Sequence, residues 1–80
     1  MEEKLFQFIE DTVYHITEKR GLTLDTDFIK DLGLNSFDIM NIVCVFEDHF
    51  DVDIPNRDVW SLHTVHDVIM YMIENNITNV

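Results

Sequence analysis

The sequence is short of almost everything that bends or cross-links a chain: 80 residues contain one proline, two glycines and one cysteine. A lone Cys44 excludes an intrachain disulfide and points to a reducing, intracellular setting. So few turn formers exclude a many-stranded sheet, which needs a tight turn between most of its strands. Basic residues are scarce too, 5 against 16 acidic ones, for a formal net charge of -11. That balance opposes nucleic acid and anionic lipid and suits basic protein partners. No stretch approaches the roughly 20 apolar residues of a membrane helix. "MEEKLFQFIEDTVYHITEKR" opens with acids and mixes apolar with charged positions, unlike a secretion signal. The expectation is a cytoplasmic protein that does not insert into membranes.

What the chain does have is apolar content, 46% with six phenylalanines, two tyrosines and a tryptophan, which is too much for a disordered tail. Its length supports one core, so residues 1–80 are expected to form a single, monomeric, all-α domain. Leu5, Ile9, Val13 and Ile16 recur at helical spacing with Phe8 and Thr12 alongside, and Gly21 after Lys19 and Arg20 reads as the stop. Residues 22–35 lose that period. Their Leu24, Phe28, Ile29, Leu32 and Leu34 are too apolar for a free linker and predict a loop packed on the core. A second helix is expected from about Ser36 to Phe50, with Asn35 as N-cap and Asp38 three residues on. Pro55 interrupts, and a short helical turn should follow, ending near Trp60. Thr64 and Asp67 open the last helix, where Val65, Val68, Ile69, Met72 and Ile73 form one face. The plan is three principal helices and one short one, with a long loop between the first two.

The second helix carries more apolar residues than one face requires. At about 100° per residue, Ile39, Ile42, Val43, Phe46 and Phe50 share a broad face, while Phe37, Met40 and Cys44 project near the opposite side. Asn41 and Asp48 lie among the latter, with Asp38 and Glu47 nearer the edges. Either the helix is packed on two sides, or this is a docking surface whose carboxylates steer a basic partner. Ser36 stands at the helix start, where unpaired N–H groups and the macrodipole favour an anion. Local chemistry allows it to be a cap in place of Asn35 or a point of phosphate attachment.

Taken whole, "DLGLNSFDIMNIVCVFEDHFDVDIP" resembles the acyl carrier protein family: Asp-Leu-Gly, two residues, a serine, an acidic apolar helix, then an acidic-Phe-Asp turn ending in Ile-Pro. The flanks agree, with a helical segment and long loop before it and "LHTVHDVIMYMIE" after it. The resemblance implies a four-helix bundle that performs no catalysis itself. It implies that Ser36 carries 4'-phosphopantetheine, added from coenzyme A by a phosphopantetheinyl transferase. The arm's thiol would hold acyl groups as thioesters for enzymes of fatty acid, polyketide or related biosynthesis. Those enzymes would bring basic docking patches to Phe37, Asp38, Met40, Asn41, Cys44, Glu47 and Asp48. Sequestered cargo would enter between the second helix and residues 55–60, where Phe46 and Trp60 restrict the room.

Two departures bear on recognition. Asn35-Ser36-Phe37 stands where the family usually has Asp-Ser-Leu, and Asn41 is neutral where many members carry an acid. Both concern which transferase and partners recognise the chain. Peptidyl carriers typically show two adjacent glycines before the serine region, whereas "LGLNSF" has only Gly33, which favours acyl over aminoacyl cargo.

Other chemistries fit less well. Gly33-Leu34-Asn35-Ser36 is not a hydrolase nucleophile elbow, and no strand precedes it. Asp25-Thr26-Asp27 begins like a calcium loop, but Ile29 and Lys30 occupy places needing an oxygen ligand and a glycine. His63 and His66 have metal-sharing spacing without further ligands nearby and read as surface and cap residues, and Cys44 reads as a contact residue. The alternative of another class is an acidic helical adaptor that is never modified. A Ser36→Ala change would silence a carrier and leave an adaptor untouched.

Overall fold

Two of the helices begin where side chains satisfy the first free N–H groups. In the computed structural model, which describes residues 2–80, the helices are α1 (Glu2–Thr17), α2 (Ser36–Phe50), α3 (Asn56–Val59) and α4 (Val65–Glu74), with no strand among the described residues. Asn35 and Thr64 each close a reciprocal capping box, with Asp38 and Asp67 respectively. The Asp67 carboxyl is held below its usual range, chiefly by the His63 N–H at 3.0 Å, with Thr64 adding to it. α3 has no side-chain cap and is a single turn after Pro55. Both capped starts match the positions expected from sequence.

The end of α1 differs from expectation. The helix stops at Thr17, ahead of Gly21, and Glu18 takes the left-handed conformation at φ 61. The Thr17 hydroxyl donates to Val13 O and accepts from Lys19 N–H, so a side chain competes for the backbone groups that would have continued the helix.

The long loop is ordered by backbone bonds to the start of α4. Phe28 N–H donates to His63 O, Val65 N–H to Thr26 O and His66 N–H to Leu24 O. Leu22, Phe28 and Leu34 are buried and Leu32 is half-buried, as a packed loop requires, but Leu24 and Ile29 are exposed. Leu24 lends its carbonyl rather than its side chain, and Ile29 tops a turn whose N–H groups are taken by the Asp27 carboxylate. Period alone does not separate these from their buried neighbours. Gly33 then turns the chain at φ 68, a left-handed conformation that glycine adopts without a Cβ penalty, and delivers Leu34 into the core one residue before the cap.

Leu5, Ile9 and Val13 of α1 meet Val65, Ile69 and Met72 of α4 and Phe46 of α2 in one buried cluster. Phe8 fixes α1 against α2, with its ring 5.1 Å from those of both Phe46 and Phe50 and 4.7 Å from His49. Such edge contacts add roughly 0.5–1.5 kcal/mol each beyond burial. α1 and α4 thus back α2, leaving Ser36 and Phe37 at its start and Cys44 and Asp48 on its outer face exposed.

Candidate functional site

Ser36 is the first residue of α2 and is exposed. Asn35 Oδ1 accepts from Asp38 N–H at 2.9 Å, and Asp38 Oδ2 accepts from Asn35 N–H at 3.3 Å. The cap is therefore Asn35, and the Ser36 hydroxyl is not spent on it. An anion esterified there would meet the positive end of a helix four turns long, at an exposed residue.

Along α2 the outer stripe separates by exposure. Phe37 is 73% exposed, and Cys44 and Asp48 are exposed as well. Met40, Asn41, Asp38 and Glu47 are half-buried. Asp38 is engaged in the cap, and one oxygen of Glu47 accepts from Ile54 N–H at 2.8 Å. That bond across seven residues has no sequence signal, and it commits Glu47 to holding the segment after α2.

On its inner side α2 borders an apolar cavity of about 70 Å³. Ile39, Ile42, Val43 and Phe46 line it from α2, Val68, Tyr71 and Met72 from α4, and Ile54, Val59 and Leu62 from the segment around α3. Ile39 is on the first turn of the helix that Ser36 opens, so the cavity begins close to Ser36. Phe46 restricts the space as expected, but Trp60 does not. It is 43% exposed and borders a neighbouring hollow of about 100 Å³ next to Ile29 and His63.

Tyr71 is a site residue that the sequence does not single out. Its hydroxyl donates to Asp58 Oδ2 at 2.8 Å, tying α4 to α3 beside the cavity. Burial first, then the hydrogen bond and charge of Asp58, push the phenol up to about 12. Only the aromatic residue inside an otherwise aliphatic helix face signals it in the sequence.

Acidic groups dominate the far end of α2, where Glu47, Asp48, Asp51 and Asp53 surround one polar hollow. Among the described residues no cluster of His, Cys, Asp and Glu has metal-binding geometry, and no helix is long and apolar enough to cross a membrane.

The family model for a phosphopantetheine attachment site matches residues 7–72, from α1 into α4. An acyl carrier protein of Akkermansia muciniphila is 36% identical over 72 residues, 90% of this chain and 88% of that protein. One from Syntrophus aciditrophicus is 33% identical over 78 residues, 98% of this chain and 95% of that protein. Among solved structures, the acyl carrier protein of Thermotoga maritima superposes with a TM-score of 0.78 at 25% identity, over 91% of this chain and 87% of that one. With likeness running through the loop, the capped serine corner and all four helices, the chain belongs to the acyl carrier protein family, whose members carry covalent 4'-phosphopantetheine and are carriers rather than catalysts.

Proposed function

We propose that Ser36 is the attachment residue and that the chain carries acyl thioesters in fatty acid, polyketide or related biosynthesis in the cytoplasm. The observation that carries this is the division of labour at the corner: Asn35 and Asp38 cap the helix, leaving the Ser36 hydroxyl exposed at its positive end. On transfer, the Ser36 oxygen forms the phosphodiester as the nucleotide half of coenzyme A leaves. Once attached, the group supplies a thiol that holds acyl chains.

The chain's own residues then serve recognition. Phe37 supplies exposed apolar area next to the arm, with Met40 and Cys44 further along the same stripe. Asp38, Glu47 and Asp48 add charge around them, and Asn41 is the neutral position. Carboxylates on a surface of net charge -11 speed encounter with basic patches, and contacts of this size let the carrier leave quickly. The apolar cavity supports acyl rather than aminoacyl cargo, because a charged amine would lose hydration there.

The test is intact mass after incubation with coenzyme A, magnesium and a broad-specificity phosphopantetheinyl transferase, beside Ser36→Ala. A gain of one phosphopantetheinyl group by the parent alone is expected. No gain with several transferases would replace this reading with the unmodified acidic adaptor.

A further inference from the structure

The wall of the cavity formed by residues 54–62 is its least anchored side. α3 is four residues long and has no side-chain cap, and a single helical turn has little stability of its own. Beyond the burial of Val59 and the packing of half-buried Ile54 against the core, two side-chain hydrogen bonds hold this wall. Glu47 accepts from Ile54 N–H at one end, and Asp58 accepts from Tyr71 at the other. The Tyr71 ring itself lines the cavity, so the second bond fixes both a piece of lining and the distance between α3 and α4.

The space thus held is small. A cavity of roughly 150 Å³ holds one benzene, so the present one, about 70 Å³, holds about three carbon atoms. A longer chain needs a wall to move. α1 and α4 are packed through fully buried Leu5, Val13, Val65 and Ile69, and displacing them would open the core itself. The α3 wall can yield with far less loss.

Resting on the carrier reading above, we propose that the Tyr71–Asp58 hydrogen bond is a latch that sets the length of acyl chain admitted to the cavity. Closed, it confines sheltered cargo to short chains; released, it lets α3 swing outward and admit longer ones. Because the phenol stays protonated up to about pH 12, the donor is present throughout the physiological range. A partner enzyme that touches Asp58, which is half-buried at the surface, could open the cavity by competing for its carboxylate.

The test loads the parent, Tyr71→Phe and Asp58→Ala with four-, eight- and twelve-carbon acyl-phosphopantetheine, confirms each product by intact mass, and follows thermal unfolding by circular dichroism. Tyr71→Phe keeps the ring that fills the lining, and Asp58→Ala cuts the bond from the α3 side, so the two variants do not share a risk of misfolding. The parent should gain stability with the four-carbon chain and nothing further at eight or twelve. Both variants should continue to gain, by roughly 3–6 °C for each further methylene that becomes buried. A parent that gains through twelve carbons as the variants do, variants that stop where the parent stops, or no gain at any length would each overturn the latch. Failure of the loading itself, read from the mass, would overturn the carrier assignment instead.

Discussion

Asn35 and Asp38 hold one another across the first turn of α2, each side chain accepting from the other's backbone N–H, and Ser36 lies between them with its hydroxyl uncommitted. The cap thus rests on Asn35 and Asp38, and the proposed modification falls on the serine between them. Asn35→Ala should cost about 1 kcal/mol in urea unfolding, as loss of an N-cap usually does. Asn35→Asp should keep the cap and restore the charge usual in the family at that place. Its expected effect is on transferase choice, read as the ratio of modification rates by a housekeeping and a pathway-specific transferase.

Glu47 should behave as a structural acceptor as well as a surface charge. Glu47→Ala leaves the half-buried Ile54 N–H without its partner and should cost roughly 1 kcal/mol in urea unfolding. Glu47→Gln retains an acceptor oxygen and should cost less. If the two variants were equally destabilised, charge rather than the bond to Ile54 would be the source.

Alkaline unfolding should expose the raised pKa of Tyr71. The phenol ionises near 10.0 when unfolded and at about 12 in the fold, so the unfolded chain loses its proton first as pH rises. The stability contributed by this group is complete below pH 10 and disappears between pH 10 and about 12. The difference in unfolding free energy between parent and Tyr71→Phe should be flat below that window and shrink across it. A difference independent of pH would show that the phenol titrates alike in both states.

The features legible in the sequence are those set by neighbours a few residues apart. The starts of α2 and α4 follow from Asn35 with Asp38 and Thr64 with Asp67, pairs spaced to meet within one turn. The break at Pro55 and the family likeness are local in the same sense. The bonds from Glu47 to Ile54 and from Tyr71 to Asp58 were not legible, because they join segments whose approach depends on the packing of the whole bundle. Trp60 departs from expectation for that reason, since the residue that caps a one-turn helix can face inward or outward with little change in pattern. At the end of α1 two local signals competed, and the Thr17 hydroxyl acted before Gly21 was reached.

Salt should stabilise this protein by weakening repulsion. Among the described residues the one ion pair is Arg57 with Asp58 at 3.8 Å on the surface, worth little by itself, so most of the net charge of -11 is uncompensated by contact. The molecule measures 28 × 25 × 21 Å, comparable with the screening length of roughly 30 Å in 10 mM salt. Under those conditions nearly every carboxylate repels every other. At 1 M the screening length falls to roughly 3 Å and the repulsion is confined to touching groups. The melting temperature should climb steeply between these limits and then level off. The gain should be concentrated where Asp48, Asp51 and Asp53 meet at the end of α2. Asp48→Asn removes one of these like charges and should raise stability by about 0.5 kcal/mol in 10 mM salt, the size of a like-charge pair on a helix surface, and by much less in 1 M. Since Asp48 makes no capping bond and lies exposed, a benefit that persisted unchanged at high salt would have to come from something other than charge.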